Sequence, residues 1–512
     1  MKFQLSYAWL LVTLSCTNQI APILTHLPLV CLIIPLIIAF AIYISNIRPF
    51  GVARGPIGLP FFGYSPFLHG TPARALHRLG RKYGGIFSVF LGRELTLILH
   101  SHAAMTAAFV ANGNAFLGRR PGFYEEVLNS WRTDGKKLVT RTVGTHWQAA
   151  RLFIANTIHQ TGVSTANNLD LTKGALEKMF LKFDHEKTVT IAGAIDPTDF
   201  VMSAVIDVLF TVIFVQGSSV PTPAADFPLA SLCPRPALPR AVDRYESTFL
   251  ASLRTTFMAE IRKRQRRLSS LDETDQSFVG HYWREKWKQL ASGKVDDHLT
   301  EQELLSELTC AFGAGTLGIT GTIRWAFYHI LGNPAVQKKI HAEMDSCGLG
   351  GAWIGVEHKA QLPYTEAFCE EVRRLGTVFP MSVVHESTED VSILGQTVPA
   401  GTMVIANLFS VNRDPDYWPN SDTFRPERFL TTADEFSDAK HSVGFSLGPR
   451  KCPAQVFVRQ EQFIFLANIL NRYRLDKPPG CTTDWHHAGL GEVLLEPPTF
   501  RVVLTPRHTL AA

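Results

Sequence analysis

FSLGPRKC, from Phe445 to Cys452, sets a phenylalanine, a glycine and an arginine at fixed distances ahead of one cysteine. The amphipathic run VFVRQEQFIFLANIL follows, from Val456 to Leu470. A loop that wraps a flat ligand and ends at a helix N-terminus has this pattern. Gly448 lets the backbone turn tightly. Arg450 presents a planar fork of donors suited to a carboxylate. Cys452 is expected at the positive end of the following helix dipole, which favours a thiolate. Read alone, the cysteine also has a plainer meaning, a buried structural thiol.

A second string, LPYTEAFCEEVRRL (Leu362 to Leu375), carries a dense charge cluster. Glu371 and Arg374 are three apart, so they share a helix face and can pair. Glu370 and Arg373 form a competing pair in the adjacent register, and the flanking LPY favours the first. About fifty residues on, FRPERF (Phe424 to Phe429) brings Arg428. Two arginines locked to one carboxylate suit a structural clamp. Upstream, HWQAAR places Trp147 and Arg151 four apart on one helix face. PMSVVHEST places His385 just after the charge cluster.

In this order and spacing the strings resemble the cytochrome P450 enzymes, whose haem loop reads phenylalanine-x-x-glycine-x-arginine-x-cysteine-x-glycine. One position departs from it, Ala454, which stands where the family usually has glycine. The resemblance runs from about Arg54 to Arg507 and is nearest the microsomal animal type, with GPIGLPFFG, FLGRRP, NRDPDYWPNSDTF and PPTFRVVLTPR in support. It implies a mostly α fold with a small β-rich region and haem b buried between helices. Cys452 is implied as the proximal thiolate ligand of the haem iron, in a loop that includes Phe445, Gly448, Arg450 and Ala454. Trp147, Arg151, Arg450 and His385 match contacts to the haem propionates, and Glu371, Arg374 and Arg428 match the buried clamp behind the loop.

Length alone would allow about three domains for 512 residues. Residues 147, 371 and 452 must meet on one cofactor, so one large catalytic domain is expected over 64–512. Hydrophobic residues make up 46% of the chain, enough for a sizeable core. The eight cysteines are scattered with no CxxC, which fits reduced thiols rather than zinc or a disulfide framework.

Residues 1–47 are expected to form a hydrophobic anchor and 48–63 a proline-glycine hinge. No formally charged side chain lies between Lys2 and Arg48, and Leu27–Ile44 is 18 residues long, near the length of a membrane-spanning helix. Pro35 can kink such a helix without preventing insertion. Arg48 and Arg54 follow it and place the catalytic domain on the cytoplasmic side, at the endoplasmic reticulum by the resemblance. Residues 1–16 also read as a signal-like segment, either cleaved or part of a longer anchor. Further along, the proline-rich stretch 218–239 is expected as loop, with a helix resuming near Ala241 and a shortened lid over the substrate pocket. The basic run RKRQRR, 262–267, reads as a solvated helix end or as a contact with membrane or a partner.

The segment LTEQELLSELTCAFGAGTLGITGTIRWAFYHIL has Thr300 as a candidate helix cap. In the resembled family this helix crosses the haem and carries an acid and an alcohol that relay protons for oxygen activation. Aligning AG and RW puts Leu317 at the acid position and Gly318 at the alcohol position, so both relay groups are missing. Thr322 shares the face of Gly318 one turn on, about 6 Å along the axis, whereas Thr316 and Thr320 point elsewhere. The expected substrate walls are the stretch before HWQAAR, Phe312, Ala314, Val383 and Val384.

The resemblance implies a monooxygenase that inserts one oxygen atom from O2 into a lipophilic substrate (a sterol, fatty acid, terpenoid or xenobiotic). Its electrons come from NADPH through a separate flavoprotein reductase, because no fused flavin domain is encoded. Two other readings stay open: an isomerase or dehydratase that needs no O2 activation, and a weakly active haem protein that binds lipid. The net charge of +5 fits an acidic reductase docking around Arg450, Lys451 and Arg459, or simply surface charge. Membrane lipid is an expected partner and nucleic acid is not.

Overall fold

Three helices start on proline at their first turn, where its missing N–H costs nothing. They are among the helices of the described part of the computed structural model: α1 (Pro72–Tyr83), α2 (Gly144–Thr161), α3 (Ala166–Val189), α4 (Thr198–Phe214), α5 (Phe278–Ala291), α6 (Glu301–Gly332), α7 (Pro334–Ser346), α8 (Pro363–Gly376) and α9 (Gln455–Arg472). The proline starts are those of α1, α7 and α8. The structure describes residues 37, 40–68, 70–119, 143–161, 166–189, 193–214, 254–266, 275, 277–293, 300–437, 441–481 and 494–508.

Helix α6 is the central element. Its 32 residues span about 48 Å at 1.5 Å per residue. A capping box starts it: Thr300 Oγ1 accepts from the Glu303 N–H at 3.1 Å, and Glu303 Oε2 accepts from the Thr300 N–H at 3.3 Å. Its second half, Ile319 to Leu331, is buried all round, as an apolar helix in a core must be. α4, α8 and α9 pack against it. Trp325 is fully buried, and its indole N–H donates to the Leu495 carbonyl at 2.9 Å, which supplies the partner a buried indole needs.

The β-rich part is small. β1 (Ile86–Leu91) and β2 (Glu94–Leu99) form an antiparallel hairpin, β3 is Ala194–Ile195, and β4 is His385–Glu386. β5 (Val391–Ile393) and β6 (Gln396–Val398) form their own pair; β7 (Met403–Ala406) lies parallel to β2, and β4 pairs antiparallel with β7. β8 (Tyr473–Asp476) and β9 (Val502–Pro506) complete a three-stranded sheet in the order β3-β9-β8. In the four-stranded sheet His385 pairs with Val404, and its neighbour Glu386 bridges to Gly118 on the other side.

Of the expected anchor, residues 1–16 and most of 27–44 lie outside the described residues; residues 40–45 are helical. Among the described residues no helix is long and apolar enough to cross a membrane. The proline-rich stretch 218–239 and the expected helix start near Ala241 also lie outside them. Residues 262–266 of the basic run belong to a helix over 254–266. Arg264 there pairs with Asp275 and Glu260, while Arg262 and Lys263 stay largely exposed, so the run is mainly an ion-paired helix surface.

Candidate active site

The Cys452 loop closes on itself and docks on its neighbours through backbone. The Cys452 N–H donates to the Phe445 carbonyl at 2.9 Å. Gly448 sits at φ +73°, and a Cβ built there would lie 1.8 Å from the Phe109 carbonyl oxygen. Both the left-handed backbone and the lack of room require glycine. Gly448→Ala is therefore expected to push the loop off Phe109 and lower haem content, read as the haem-to-protein absorbance ratio; an unchanged ratio would show that the loop tolerates the shift. Ala454 caps α9 at φ −91° and ψ 10°, ordinary backbone for an L-residue, so replacing the family's usual glycine costs no backbone strain here.

Burial raises the pKa of the Cys452 thiol, while an N–H bond from Ala454 and the charge of Arg151 pull it down. Burial outweighs both partners, so the free thiol is held above its ordinary pKa; a metal ion bound to the sulfur would supply the charge that favours the thiolate. Around the loop stand mostly cations. The Arg450 guanidinium stacks 4.1 Å over the Trp147 ring, and Arg151 lies 5.9 Å from the same ring. Arg450 donates to the Leu117 carbonyl and Arg151 to the Lys451 carbonyl, each at 2.6 Å. Burial and then the neighbouring Arg151 push the Arg450 pKa down to about 10.

His385 Nδ1 lies 2.8 Å from the Phe116 carbonyl, and its ring stacks on Phe109 at 4.1 Å. A carbonyl partner requires the proton on Nδ1. Burial, then the charge of Arg119, holds His385 well below its ordinary pKa, so the ring is neutral and Nε2 is an acceptor. It offers a carboxylate no N–H until that carboxylate's own charge restores protonation. A cysteine donor, a loop that needs glycine, and two like-charged guanidiniums, one buried and one half-buried, fit a thiolate-ligated, dianionic flat cofactor. Haem is such a group.

Two carboxylates of α8 form two separate clamps. Glu371 and Arg374 are both fully buried and pair bidentately, Nε–Oε2 at 2.7 Å and Nη2–Oε1 at 2.8 Å. Arg428 Nε reaches Glu371 Oε1 at 3.3 Å, and the Arg425 N–H donates to that oxygen at 2.9 Å. The adjacent register is also used. Arg373 Nε donates to Glu370 Oε2 at 3.0 Å, and Arg459 Nη1 approaches the same oxygen at 3.2 Å. The two registers named in the sequence thus coexist rather than compete.

On α6, Ala311 and Ala314 are exposed and Leu317 and Gly318 half-buried, so this stripe is open while the opposite face is core. A Cβ on Gly318 would meet a single neighbour, Phe379 Cε2 at 3.3 Å. The Thr322 hydroxyl donates back to the Gly318 carbonyl at 2.8 Å. Thr316 and Thr320 are buried, their hydroxyls without a protein partner among the described residues.

Two of the expected walls are buried: Phe312 packs 5.3 Å edge-to-face on Phe257, and Val384 belongs to the core cluster. Ala314 and Val383 are exposed; the stretch before HWQAAR lies outside the described residues. Of the three cations considered for docking, Arg450 is buried and Arg459 is held by Glu370, which leaves Lys451 exposed. Sequence reasoning missed Arg119, which donates to the Val383 and Val384 carbonyls at 3.2 and 2.7 Å. It also missed Phe379, four residues before Val383.

The sequence matches the family described as cytochrome P450 over residues 53–225 and 235–504. The chain belongs to the cytochrome P450 family. It is similar to cytochrome P450 1A1 of Oryctolagus cuniculus, 28% identical over 469 residues, covering 85% of this chain and 88% of that protein. It is 27% identical to cytochrome P450 1A2 of Homo sapiens, over 84% of this chain and 86% of that one. The protein is accordingly a cytochrome P450 monooxygenase, and the family implies haem.

Proposed function

We propose that this P450 oxidises a lipophilic substrate with one atom of O2, takes electrons from NADPH through a separate flavoprotein reductase, and obtains protons without a side-chain acid–alcohol pair. The observation that carries this reading is the Cys452 loop: a cysteine with thiolate-stabilising partners, ringed by Trp147, Arg151, Arg450 and His385. Cys452 would hold the haem iron through its sulfur, and Arg450, Arg151, Trp147 and His385 would hold the propionate side of the group. When bound, haem supplies the oxygen-activating chemistry, which the thiolate favours by donating electron density.

The chain's own part in proton delivery rests on α6. Leu317 and Gly318 carry no proton. Thr322 has committed its hydroxyl hydrogen to the Gly318 carbonyl, which leaves its oxygen lone pairs to accept from a water. The missing side chain at Gly318 leaves room beside Phe379 for such a water or for a substrate hydroxyl. The apolar character of Ala311, Ala314, Phe379 and Val383 supports a sterol, fatty acid, terpenoid or similar lipophile. The same missing pair favours a second reading, rearrangement or dehydration without O2. The anchor is placed in the endoplasmic reticulum membrane with the catalytic domain facing the cytoplasm; exposed Phe40, Tyr43, Ile44, Ile47 and Phe50 support a membrane-apposed N-terminal side.

Two tests address this reading. Incubating a lipid extract with protein, reductase and labelled O2 is expected to give an NADPH-dependent product with one labelled atom. Products formed without NADPH or label would establish the rearrangement reading instead. The double substitution Leu317→Asp with Gly318→Thr restores an acid and an alcohol. A positioned proton donor is worth about 10² or more in rate, so the fraction of NADPH converted to product is expected to change severalfold. An unchanged fraction would mean that the α6 alignment is wrong.

A further inference from the structure

Glu370 has no role in the clamp built on its neighbour Glu371, yet it is completely buried. A buried carboxylate persists only where donors surround it. Glu370 has three. Arg373 donates from its own helix at 3.0 Å, Arg459 approaches from α9 at 3.2 Å, and the Ser442 hydroxyl bonds to it from the start of the haem loop. Arg373 also donates to Gln462 Oε1 at 3.0 Å, and the Arg459 guanidinium lies 5.6 Å over the Phe445 ring.

The sequence positions of these partners give the node its meaning. Ser442 and Phe445 lie on the arm entering the loop, and Arg459 and Gln462 lie on the first turns of the helix leaving it. Cys452 is between them. The Glu371 clamp instead bonds to residues 412–428 and reaches the loop at one remove, through Asn412, whose Oδ1 accepts the Val443 N–H at 3.0 Å.

We infer that Glu370, Arg373 and Arg459 are positioning residues that hold both arms of the cysteine loop against α8 and so fix where the Cys452 sulfur sits. Groups behind a metal ligand set its orientation, and losing one typically costs about 10- to 100-fold in metal affinity. Stability does not explain the node, because an apolar trio of similar volume serves a core as well or better. The inference rests on Cys452 being the haem ligand.

The test uses the full-length haem protein with two variants. Arg459→Met keeps the aliphatic stem and leaves Glu370 paired with Arg373. The triple variant Glu370→Leu, Arg373→Leu, Arg459→Met removes all three charges together. Haem transfer to excess apomyoglobin is expected to be about tenfold faster in both. Their ferrous–carbon monoxide spectra are expected to pass sooner from the thiolate to the protonated-cysteine form. Wild-type transfer rates and spectra in Arg459→Met overturn the proposal, whether or not the triple variant folds. A lowered urea midpoint with unchanged transfer and spectra also overturns it, since that is the mark of a simple brace. Cys452→Ser, measured beside them, tests the ligand separately: a persistent thiolate spectrum there defeats the ligand assignment and not the node.

Discussion

Cys452→Ser is expected to remove the thiolate-type ferrous–carbon monoxide spectrum and bring product formation down to background. Serine keeps the size and the N–H contact from Ala454 but supplies no soft, electron-rich sulfur. The partners that stabilise a Cys452 thiolate, Ala454 and Arg151, do not bring a serine hydroxyl into the range where it ionises near neutral pH. Haem content, measured separately, distinguishes loss of the ligand from loss of the fold. The paired control is Cys369→Ser. Cys369, on the clamp helix α8 itself, is a buried thiol, and burial pushes its pKa up to about 12, which suits an inert core residue. It is expected to leave the spectrum unchanged. A thiolate spectrum that survived in Cys452→Ser and vanished in Cys369→Ser would move the iron ligand to α8.

What could be read from the sequence was whatever depends on short spacing. The pairing of Glu371 with Arg374 follows from helical period alone, and so does the pairing of Glu370 with Arg373. The partners of Glu370 on α9 and at Ser442 are some 70 to 90 residues away, and no local pattern announces them. Arg459 therefore read as a surface cation when it is a buried-carboxylate partner. Periodicity also gives the face of a helix without saying which face meets the core. Spacing along α6 alone therefore does not say which of Phe312 and Ala314 meets the core, and only the structure shows Phe312 meeting Phe257 on another helix while Ala314 is exposed. Val383 and Val384, neighbours on the segment before β4, differ in the same way: Val383 is exposed and Val384 buried. Ala454 departs from a family pattern, and only its negative φ shows that the departure is conformationally free.

Glu371→Gln is expected to cost about 3–5 kcal/mol, the range for removing one partner of a buried ion pair. That is a large fraction of a domain's typical 5–15 kcal/mol. The glutamine oxygen can still accept one bond, but its NH2 then faces the donors of Arg374 and Arg428, and the fully buried Arg374 guanidinium cannot reach water. Arg374 is additionally fixed by the Asn412 carbonyl at 2.8 Å and by the Trp418 ring at 5.2 Å, so it cannot swing away. Arg428 is likewise held, donating to the carbonyls of Pro419, Asn420 and Thr423. The stranded charge must be solvated by opening the contact between α8 and residues 412–428, which also supports Val443 at the start of the haem loop through Asn412. The urea midpoint is expected to fall and purified protein to carry little haem. Arg428→Lys is a milder change, because it keeps one charge near Glu371 and loses the planar fork that bridges three carbonyls. Its midpoint is expected between those of wild type and Glu371→Gln. A Glu371→Gln protein with a wild-type midpoint and full haem would show that the two arginines are satisfied without the carboxylate, and that the clamp does not hold the loop.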